Sequence, residues 1–406
     1  MKRFILLLTA LLVLSLFCAT ANAAAPTLVS ESAVLIDADT GQILYNKDMH
    51  RQMYPASITK ILTVITGLEK LPMTETMTMS HYAVFSIPVG SSHIALDEGE
   101  VITMEQAVYA ALLMSANDAC NGIAERIAGS TESYAVMMNE TAKRAGAINS
   151  NFVNPHGLFD ENHYTTAYDM AMICRYALGN ETFRKVFGTR KYVMAPTNEQ
   201  PEERPFINQH DMIGNSSRRY EGVIGGKEGW TSVSKCTLVT AAERNGRTLI
   251  AVVMKCVKDA DKYNDTRLLL DYGFSDEFTD VTFATSSLPR GSGYRLPNPI
   301  KLHLPDGVEK KDLRISIAME NGKDLAIVRY PDGSELGKFP CEVLIDVSEK
   351  TPEEKKQARL GSVLKTILLV ALAIILPFVL FVVYIAIRKE IYRARRRRRR
   401  RNRRRY

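Results

Sequence analysis

The chain has 406 residues, 46% hydrophobic and 24% charged, which is enough for two or three globular units with ordinary cores. Its net charge of +7 is concentrated at one end, because residues 388–406 hold 13 Lys or Arg against one acidic residue, Glu390. The rest of the chain is therefore mildly acidic, which excludes a basic nucleic-acid-binding face on the folded part and leaves the tail as a solvated or membrane-surface segment.

Residues 1–23 have the pattern of a secretory signal peptide. Lys2 and Arg3 precede an apolar run over 4–18, and Ala-Asn-Ala at 21–23 matches the small-x-small sequence of a cleavage site. The mature protein is therefore predicted to begin at residue 24 and to be exported.

Residues 24–275 alternate predicted strands and helices. Two strands, 33–37 and 42–46, flank a Gly turn, and a later strand pair, 236–242 and 248–255, surrounds Asn-Gly at 245–246. Helical apolar spacing occurs between the two pairs, at 56–70, 104–114, 118–128, 132–145 and 167–178. Strands at both ends with helices between them predict an α+β domain, with an antiparallel sheet packed by helices.

Residues 276–348 are predicted to form a separate small all-β domain of the sandwich type. Short apolar stretches separated by Pro-Asp-Gly and Asn-Gly turns predict its strands, at 300–304, 313–318, 325–330 and 342–346.

The C-terminal part predicts a membrane anchor. Residues 349–362 are polar and suit a linker or stalk. Residues 363–387 are predicted to form one transmembrane helix, since the stretch 367–387 has no charge and is long enough to cross the hydrocarbon core. The Arg-rich segment 388–406 is expected to stay in the cytoplasm, so the protein would be single-pass with its body outside the cell membrane.

Five cysteines remain after the signal segment, so at least one must be unpaired. Cys236 and Cys256 flank the Asn-Gly turn nearly in register. They either form a cross-strand disulfide or stay as buried free thiols, and we favour the thiols.

The first chemically informative motif is Ser57-Ile-Thr-Lys60. A Ser and a Lys three positions apart on a helix share one face, so the amine could take the proton of the hydroxyl. A free lysine is protonated at neutral pH, and burial together with a second cation would lower its pKa. The motif alone recurs by chance in many helices.

Two further motifs follow in the chain. Ser115-Ala-Asn117 lies between two predicted helices, where it is either a proton relay with an amide or a helix cap. Lys227-Glu-Gly229-Trp-Thr231 leads into the strand pair. Alternate side chains of a strand share a face, so Lys227 and Thr231 could point into one cleft, and Gly229 would let a substrate backbone approach closely. The alternative for this third motif is a Gly-rich turn.

Taken together, the motifs Ser-x-x-Lys, Ser-x-Asn and Lys-x-Gly, about 55 and about 110 residues apart, resemble those of the penicillin-recognising serine enzymes. The chain is most similar to the low-molecular-mass D-alanyl-D-alanine carboxypeptidases. Further matching stretches are Ala-Val-Leu-Ile-Asp at 33–37 with Thr-Gly at 40–41, Pro-Ala-Ser at 55–57, Leu-Leu-Met-Ser at 112–115, Asn-Pro-His-Gly-Leu at 154–158 and Thr-Thr-Ala-Tyr-Asp at 165–169. The resemblance implies a penicillin-binding, β-lactamase-like transpeptidase fold.

The resemblance also implies roles for the motif residues. Ser57 would attack the carbonyl between the two terminal D-alanines of a peptidoglycan pentapeptide, with Lys60 as general base. Ser115 and Asn117 would move the proton and position Lys60, and Lys227 would add positive charge and help to hold the substrate carboxylate.

Around the reacting carbonyl, the resemblance places an oxyanion hole at the backbone N–H groups of Ser57 and Trp230 and a carboxylate-binding hydroxyl at Thr231. Water would hydrolyse the acyl-enzyme, and β-lactam antibiotics would inhibit by trapping it. No cofactor or metal is expected, because no metal-ligand spacing or phosphate-binding Gly loop occurs in the sequence.

Glu228 departs from the family, which usually has Thr at this position. A carboxylate here would repel the terminal carboxylate of the substrate, by roughly 4 kcal/mol at ~4 Å and an effective dielectric of about 20. Three explanations remain open: the side chain points away, it pairs with a cation such as Arg218 or Arg219, or the substrate terminus is modified.

Two other functions compete with this interpretation. A β-lactamase would need fast deacylation, for which one major class uses a dedicated Glu that has no convincing equivalent here. An inactive wall-binding or regulatory homologue would explain Glu228 as a sign of lost activity. His156, within Asn-Pro-His-Gly-Leu, is interpreted as a structural loop residue and not as a catalytic base.

Overall fold

The computed structural model describes residues 25–214, 216–275, 278–289, 291–320, 322–344, 383–385 and 387–389. The chain divides into two compact units, Met1–Glu342 and Val343–Tyr406. The strands of the described residues are β1 (Ser32–Asp37), β2 (Ile43–Lys47), β3 (Thr76–Thr78), β4 (Val101–Thr103), β5 (Lys191–Met194), β6 (Arg204–Ile207), β7 (Val223–Thr231), β8 (Lys235–Arg244), β9 (Arg247–Cys256), β10 (Phe278–Phe283), β11 (Tyr294–Arg295), β12 (Ile300–Pro305), β13 (Arg314–Glu320), β14 (Lys323–Arg329), β15 (Glu335–Pro340) and β16 (Glu342–Val343).

The helices of the first unit surround one sheet. They are α1 (Lys60–Leu68), α2 (His81–Phe85), α3 (Met104–Leu113), α4 (Asn117–Ala128), α5 (Thr131–Ala145), α6 (Ala167–Leu178), α7 (Glu181–Phe187) and α8 (Asp259–Gly273). A single 3-10 turn, Ala56–Thr59, precedes α1. The five predicted helices are all present.

The central sheet is antiparallel and has the strand order β2-β1-β9-β8-β7. Both predicted strand pairs are confirmed. The β8–β9 hairpin turns at Asn245 and Gly246, whose φ angles of 52° and 75° are those that this tight turn requires. The sheet therefore joins the first and last strands of the predicted α+β domain.

Both faces of the sheet are buried, and the alternation of side chains decides which core each residue joins. On β1, Val34 and Ile36 belong to the large core shared with the helices α1 to α7, whereas Ala33 and Leu35 belong to a second core. That second core lies against α8, which contributes Leu269 and Leu270. Strand β1 has no polar face because it lies between two layers of helix.

Helix α8 was not predicted from the sequence. It carries six charged residues among fifteen, and the buried ones include Lys262 and Asp265. A charged side chain at a core-facing position breaks the apolar period by which helices are identified. The position of Lys262 becomes important at the functional site.

The β-rich region that follows has its own hydrophobic cluster, centred on Phe283, Leu302 and Phe339. Strand β10 pairs with β12, and β13, β14 and β15 form a three-stranded sheet. Strand β15 was not predicted, and the strand predicted at 342–346 is reduced to Glu342–Val343 among the described residues. The described residues of this region form strands and one 3-10 turn, Lys310–Asp312, and the separate domain predicted at 276–348 stays a prediction.

The predicted signal peptide at 1–23 and the linker at 349–362 lie outside the described residues. Of the predicted transmembrane helix and Arg-rich tail, the structure describes residues 383–385 and 387–389, which are helical. Among the described residues, no helix combines the length and apolar character needed to cross a bilayer.

Candidate active site

Ser57 and Lys60 lie together at the start of α1, in contact as the sequence predicted. Ser57 is in the 3-10 turn, and Lys60 is the first residue of the helix. Lys60 Nζ donates a hydrogen bond of 2.9 Å to Ser57 Oγ. The side chain of Lys60 is fully buried in a helix whose other residues are almost all apolar. The pair thus combines a partly exposed hydroxyl with an amine that water does not reach.

The backbone before Ser57 is strained and closely surrounded. Ala56 has φ of 54°, in the left-handed region that residues with a side chain seldom adopt. A Cβ atom added to Gly157 would lie 1.9 Å from the Ala56 carbonyl oxygen, and one added to Gly229 would lie 2.8 Å from Ser57 N. Two glycines from distant segments therefore let the chain pass close to the turn that presents Ser57.

The structure gives Gly229 a second reason to be glycine. It lets the protein's own backbone at Ser57 approach β7 closely, whereas the predicted approach of a substrate backbone stays a prediction. Thr237 on β8 reinforces the contact, since its hydroxyl donates to the carbonyl oxygen of Pro55 at 2.8 Å. Strands β7 and β8 thereby position the turn that carries the serine.

Lys60 has a second partner that the sequence did not suggest. Its Nζ also donates to the carbonyl oxygen of His156, at 2.7 Å. The pKa of Lys60 is lowered to about 7, chiefly by burial and also by the nearby Lys227, against the opposing effects of Cys120 and Asp118. Both hydrogen-bond partners of Lys60 are neutral acceptors, so no carboxylate is hydrogen-bonded to its amine.

His156 has the structural role that its motif indicated. Its Nδ1 accepts a hydrogen bond from the Leu158 backbone N–H, and burial lowers its imidazole pKa well below the usual value. The ring is therefore neutral, and the backbone carbonyl is what contacts the catalytic pair.

Ser115 and Asn117 are not helix caps. Helix α4 begins at Asn117 with Ala116 as its N-cap, and no side chain caps it. Ser115 has φ of 58°, a second left-handed residue at this site, and its side chain lines the same pocket as Ser57. Among the described residues, no hydrogen bond joins the Asn117 side chain to Lys60, so its predicted positioning of Lys60 stays a prediction.

Asp118, directly after this motif, is a residue that the sequence analysis missed. Its buried carboxylate accepts backbone N–H groups of Ile94 and Leu96 at 3.1 and 3.3 Å. Two residues before Ile94, Ser92 lines the pocket, and its carbonyl accepts from Asn117 N. Nothing in the spacing of the sequence pointed to this contact.

Lys227 is buried on β7, so the Gly-rich-turn alternative for this motif is wrong. Its Nζ donates to the carbonyl oxygen of Glu228 at 3.0 Å. Burial lowers the pKa of Lys227 to about 8, with Glu228 acting in the opposite direction and Lys262 in the same direction. Its charge in turn lowers the pKa of Lys60.

Glu228 pairs with a cation, but with neither of the arginines considered from the sequence. Its Oε2 accepts from Lys262 Nζ at 2.7 Å and from the Tyr263 hydroxyl at 2.9 Å, both on α8. Burial alone would raise the pKa of Glu228, yet Lys262 and Lys227 bring it below the usual value. The carboxylate is therefore ionised and faces the site.

Lys262 is the other functional candidate that the sequence analysis missed, because α8 itself was not predicted. Its side chain is nearly buried, and its ammonium also contacts Asp259 Oδ1 at 2.6 Å. Burial would lower its pKa, but Glu228 and Asp259 raise it above the usual value. The only feature of the sequence that could have indicated Lys262 is the set of charged residues that interrupt the apolar spacing of α8.

These groups border a pocket of about 330 Å³ next to the nucleophile. The lining residues are Ser57, Ser92, Ser115, Gln209, Glu228, Gly229, Trp230, Cys236, Val257, Asp259 and Lys262. Lys60, Asn117 and Lys227 lie buried behind this surface.

Trp230 and Thr231 differ in how they relate to the pocket. Trp230 is 64% exposed at its rim. The Thr231 hydroxyl instead exchanges hydrogen bonds with Ser234 in the β7–β8 turn, at 2.7 Å to its Oγ and 2.9 Å from its N–H. Thr231 is absent from the pocket lining because its polar groups close the turn, so its predicted contact with a substrate carboxylate stays a prediction.

Cys236 and Cys256 face each other across β8 and β9, in the register that the sequence indicated. Both are free thiols, as are the other cysteines of the described residues, and all of them are buried. The favoured free-thiol alternative agrees with the structure.

Comparison with known proteins identifies the family. The peptidase S11 family, described as D-alanyl-D-alanine carboxypeptidase, matches residues 19–258. The chain is 31% identical to D-alanyl-D-alanine carboxypeptidase DacF of Bacillus subtilis over 355 residues, covering 83% of this chain and 88% of the relative. It is 29% identical to DacC of Escherichia coli over 291 residues, covering 67% and 70%.

Solved structures agree. The Streptomyces K15 DD-transpeptidase superposes with a TM-score of 0.58 at 27% identity, covering 62% of this chain and 99% of that one. A D-alanyl-D-alanine carboxypeptidase of Mycobacterium tuberculosis gives a TM-score of 0.56 at 27% identity, covering 63% and 94%. The central sheet and its helices thus have the predicted penicillin-binding-protein fold, and the chain belongs to the D-alanyl-D-alanine carboxypeptidase family of serine peptidases.

Proposed function

We propose that this enzyme removes the terminal D-alanine from peptidoglycan pentapeptides, with Ser57 as nucleophile and Lys60 as general base. The observation that carries the assignment is the 2.9 Å hydrogen bond between Ser57 Oγ and an amine that is fully buried. In the acylation step, Ser57 Oγ bonds to the carbonyl carbon of the penultimate D-alanine, its proton passes to Lys60, and the C–N bond to the last D-alanine breaks.

The environment of Lys60 suits this role. With a pKa of about 7, a large fraction of its amine is neutral at physiological pH and able to take a proton. The amine lies among neutral acceptors and close to Lys227, and both features disfavour its charged form.

The remaining motif residues are proposed to act on the proton and the substrate. Ser115 is proposed to return the proton to the leaving amine, and its position in the same pocket lining as Ser57 supports this. Asn117 is proposed to bind the substrate once it is present, and Lys227 to supply a buried positive charge. Lys262, whose ammonium borders the pocket, is added as a cation near the leaving residue.

The oxyanion hole is proposed at the backbone N–H groups of Ser57 and Trp230. The close approach of β7 at Gly229 to Ser57 N supports this, since Trp230 follows Gly229 directly. Donors fixed in advance stabilise the charge that develops on the carbonyl oxygen, and one such donor is worth on the order of 10²–10³ in turnover.

β-Lactams are proposed to acylate Ser57 and remain attached. Incubation of the full chain in detergent with a fluorescent penicillin should give a stable adduct on the peptide containing Ser57, and Ser57→Ala should give none. In parallel, a pentapeptide should lose D-alanine with the wild-type protein and not with the variant.

The two competing functions predict other outcomes in the same experiments. Rapid turnover of the penicillin without a lasting adduct would assign a β-lactamase. Neither adduct nor D-alanine release, from a protein that melts cooperatively, would assign an inactive wall-binding homologue.

We also propose that the enzyme is exported and held in the cell membrane by residues 363–387, with the tail 388–406 in the cytoplasm. The signal-like start, the uncharged run and the Arg-rich end of the sequence support this. Deletion of 363–406 should release the activity from the membrane fraction, and retention of the shortened protein there would contradict the anchor.

A further inference from the structure

One carboxylate oxygen of Glu228 is left without a hydrogen bond among the described residues, in a side chain that lines the pocket. Its Oε2 accepts both hydrogen bonds from α8, from Lys262 and Tyr263, whereas its Oε1 has no hydrogen-bond partner among the described residues. The side chain is 25% exposed and lines the pocket beside Gly229. The wall of the pocket therefore carries an ionised acceptor that a ligand can reach.

The cation that lines this end of the pocket, Lys262, is already paired, whereas Lys227 lies buried behind the surface. The Lys262 ammonium is shared by Glu228 and Asp259. Asp259 is in turn shared with Arg218, whose NH1 contacts Asp259 at 2.9 Å and Asp211 at 2.7 Å. A substrate carboxylate that approached Lys262 would be the third anion around one ammonium, since Glu228 and Asp259 are already there.

Building on the proposed function, we propose that Glu228 is a specificity-determining residue for the leaving residue of the substrate. It lets the enzyme hydrolyse peptides whose last D-residue ends in an uncharged hydrogen-bond donor, such as a carboxamide, as readily as those ending in a free carboxylate. The observation behind it is the free Oε1 next to a cation that carboxylates already neutralise.

The chemistry of a carboxamide fits the two groups. Its N–H can donate to Glu228 Oε1, and its carbonyl oxygen can accept the third N–H of Lys262, since two are directed at Glu228 and Asp259. A free carboxylate can use the Lys262 donor but offers nothing to Glu228 except repulsion.

Kinetics can isolate this end of the pocket. A peptide ending in D-Ala-D-Ala and the same peptide with a C-terminal carboxamide give the same acyl-enzyme, bonded through Ser57 Oγ to the penultimate residue. They differ in the leaving group, which is D-alanine in one case and D-alaninamide in the other. The ratio of their kcat/KM values therefore reports recognition of the leaving residue. The rate of deacylation does not affect the ratio, because the acyl-enzyme is the same for both peptides.

The test compares this ratio in wild type, Glu228→Gln, Glu228→Thr and the matched control Glu140→Gln, all as full chain in detergent. Glu140 is exposed on α5 and has no hydrogen bond or ion pair among the described residues, so its substitution removes the same charge far from the pocket. We expect wild type and control to hydrolyse both peptides within about 3-fold.

Both Glu228 variants should favour the carboxylate over the carboxamide by about 10-fold or more, because loss of the Glu228 charge frees Lys262 for the substrate. The change should lie mainly in KM. An unchanged ratio in both variants, or a wild-type preference for the carboxylate above about 10-fold, would overturn the proposal, and the second criterion holds even if a variant fails to fold. Absence of hydrolysis of either peptide by wild type would instead reject the proposed function.

Discussion

A buried lysine lies at each end of the pocket, and the pKa values of the two lysines are shifted in opposite directions. At the nucleophile end, the partners of Lys60 are a hydroxyl and a carbonyl oxygen, and burial lowers its pKa to about 7. At the leaving-residue end, the partners of Lys262 are two carboxylates, which raise its pKa despite burial. The comparison shows that burial alone does not make a base: a lysine becomes one when its neighbours are neutral or cationic.

The largest expected effect comes from removal of the base. Lys60→Ala should reduce acylation by a penicillin by about 10⁴-fold or more, because no other neutral amine contacts Ser57 Oγ among the described residues. Stopped-flow fluorescence with a labelled penicillin measures the rate. Since the variant removes a buried amine, its melting temperature should stay within a few degrees of wild type. Unchanged acylation in a folded variant would refute Lys60 as the base.

The next effect concerns the loop that supplies the His156 carbonyl. Gly157→Ala should destabilise the protein by about 3 kcal/mol or more and abolish acylation, because the new Cβ would overlap the Ala56 carbonyl oxygen. Gly99→Ala is the matched control: Gly99 has the same φ of +85° but open space around it. We expect the control to cost about 1–2 kcal/mol and to keep its acylation rate. If both variants lose the same free energy of unfolding in urea, the loss comes from the φ angle and not from the close approach to Ala56.

A double-mutant cycle tests the ion pair between Lys262 and Glu228 at the leaving-residue end of the pocket. Lys262→Met should destabilise by about 3 kcal/mol, because it leaves Glu228 ionised with Tyr263 as its remaining partner. Combination with Glu228→Thr should recover about 1–2 kcal/mol of that loss, as expected for residues in direct contact. Strictly additive free energies of unfolding would mean that the pair is not coupled.

The next effect is on the pH dependence of acylation at the nucleophile end. Because Lys60 must be neutral and Lys227 charged, acylation should rise as the pH passes about 7 and fall as it passes about 8. Lys227→Arg keeps its charge at every accessible pH, so it should retain the rising part of the profile and lose the falling part. Acylation rates from about pH 5.5 to about 9.5 give both profiles. A falling limb that persisted in the variant would assign that limb to another group.

The last prediction compares D-alanine release by wild type and by a variant at the leaving-residue end of the pocket. Glu228→Thr should release D-alanine from a pentapeptide several-fold faster than wild type, since it removes a negative charge from the pocket wall. The amount of D-alanine released per minute measures it. A fall in activity would make Glu228 a working part of the site for free carboxylates as well.

Much of the fold was predictable because its elements carry strong local signals. Helices such as Ala167–Leu178 show apolar spacing, and the β8–β9 hairpin contains Asn-Gly at its turn. Helix α8 and strand β15 escaped prediction because their buried faces contain charged residues or glycine, such as Lys262 and Gly337. Their positions depend on partners elsewhere in the chain.

For the site, sequence alone determined which residue types stand in which order: Ser57 with Lys60, Ser115 with Asn117, and Lys227 two positions before Gly229. The first of these pairs is local, three positions apart at the start of one helix, so spacing suffices to bring it together. Tertiary structure alone decided the partner of Glu228, the contact of Lys60 with His156, and the glycine that each close approach requires. The physical reason is that these contacts join residues 34 to 172 positions apart, and charge, burial and hydrogen bonding across such distances exist only after the sheet and its helices have assembled.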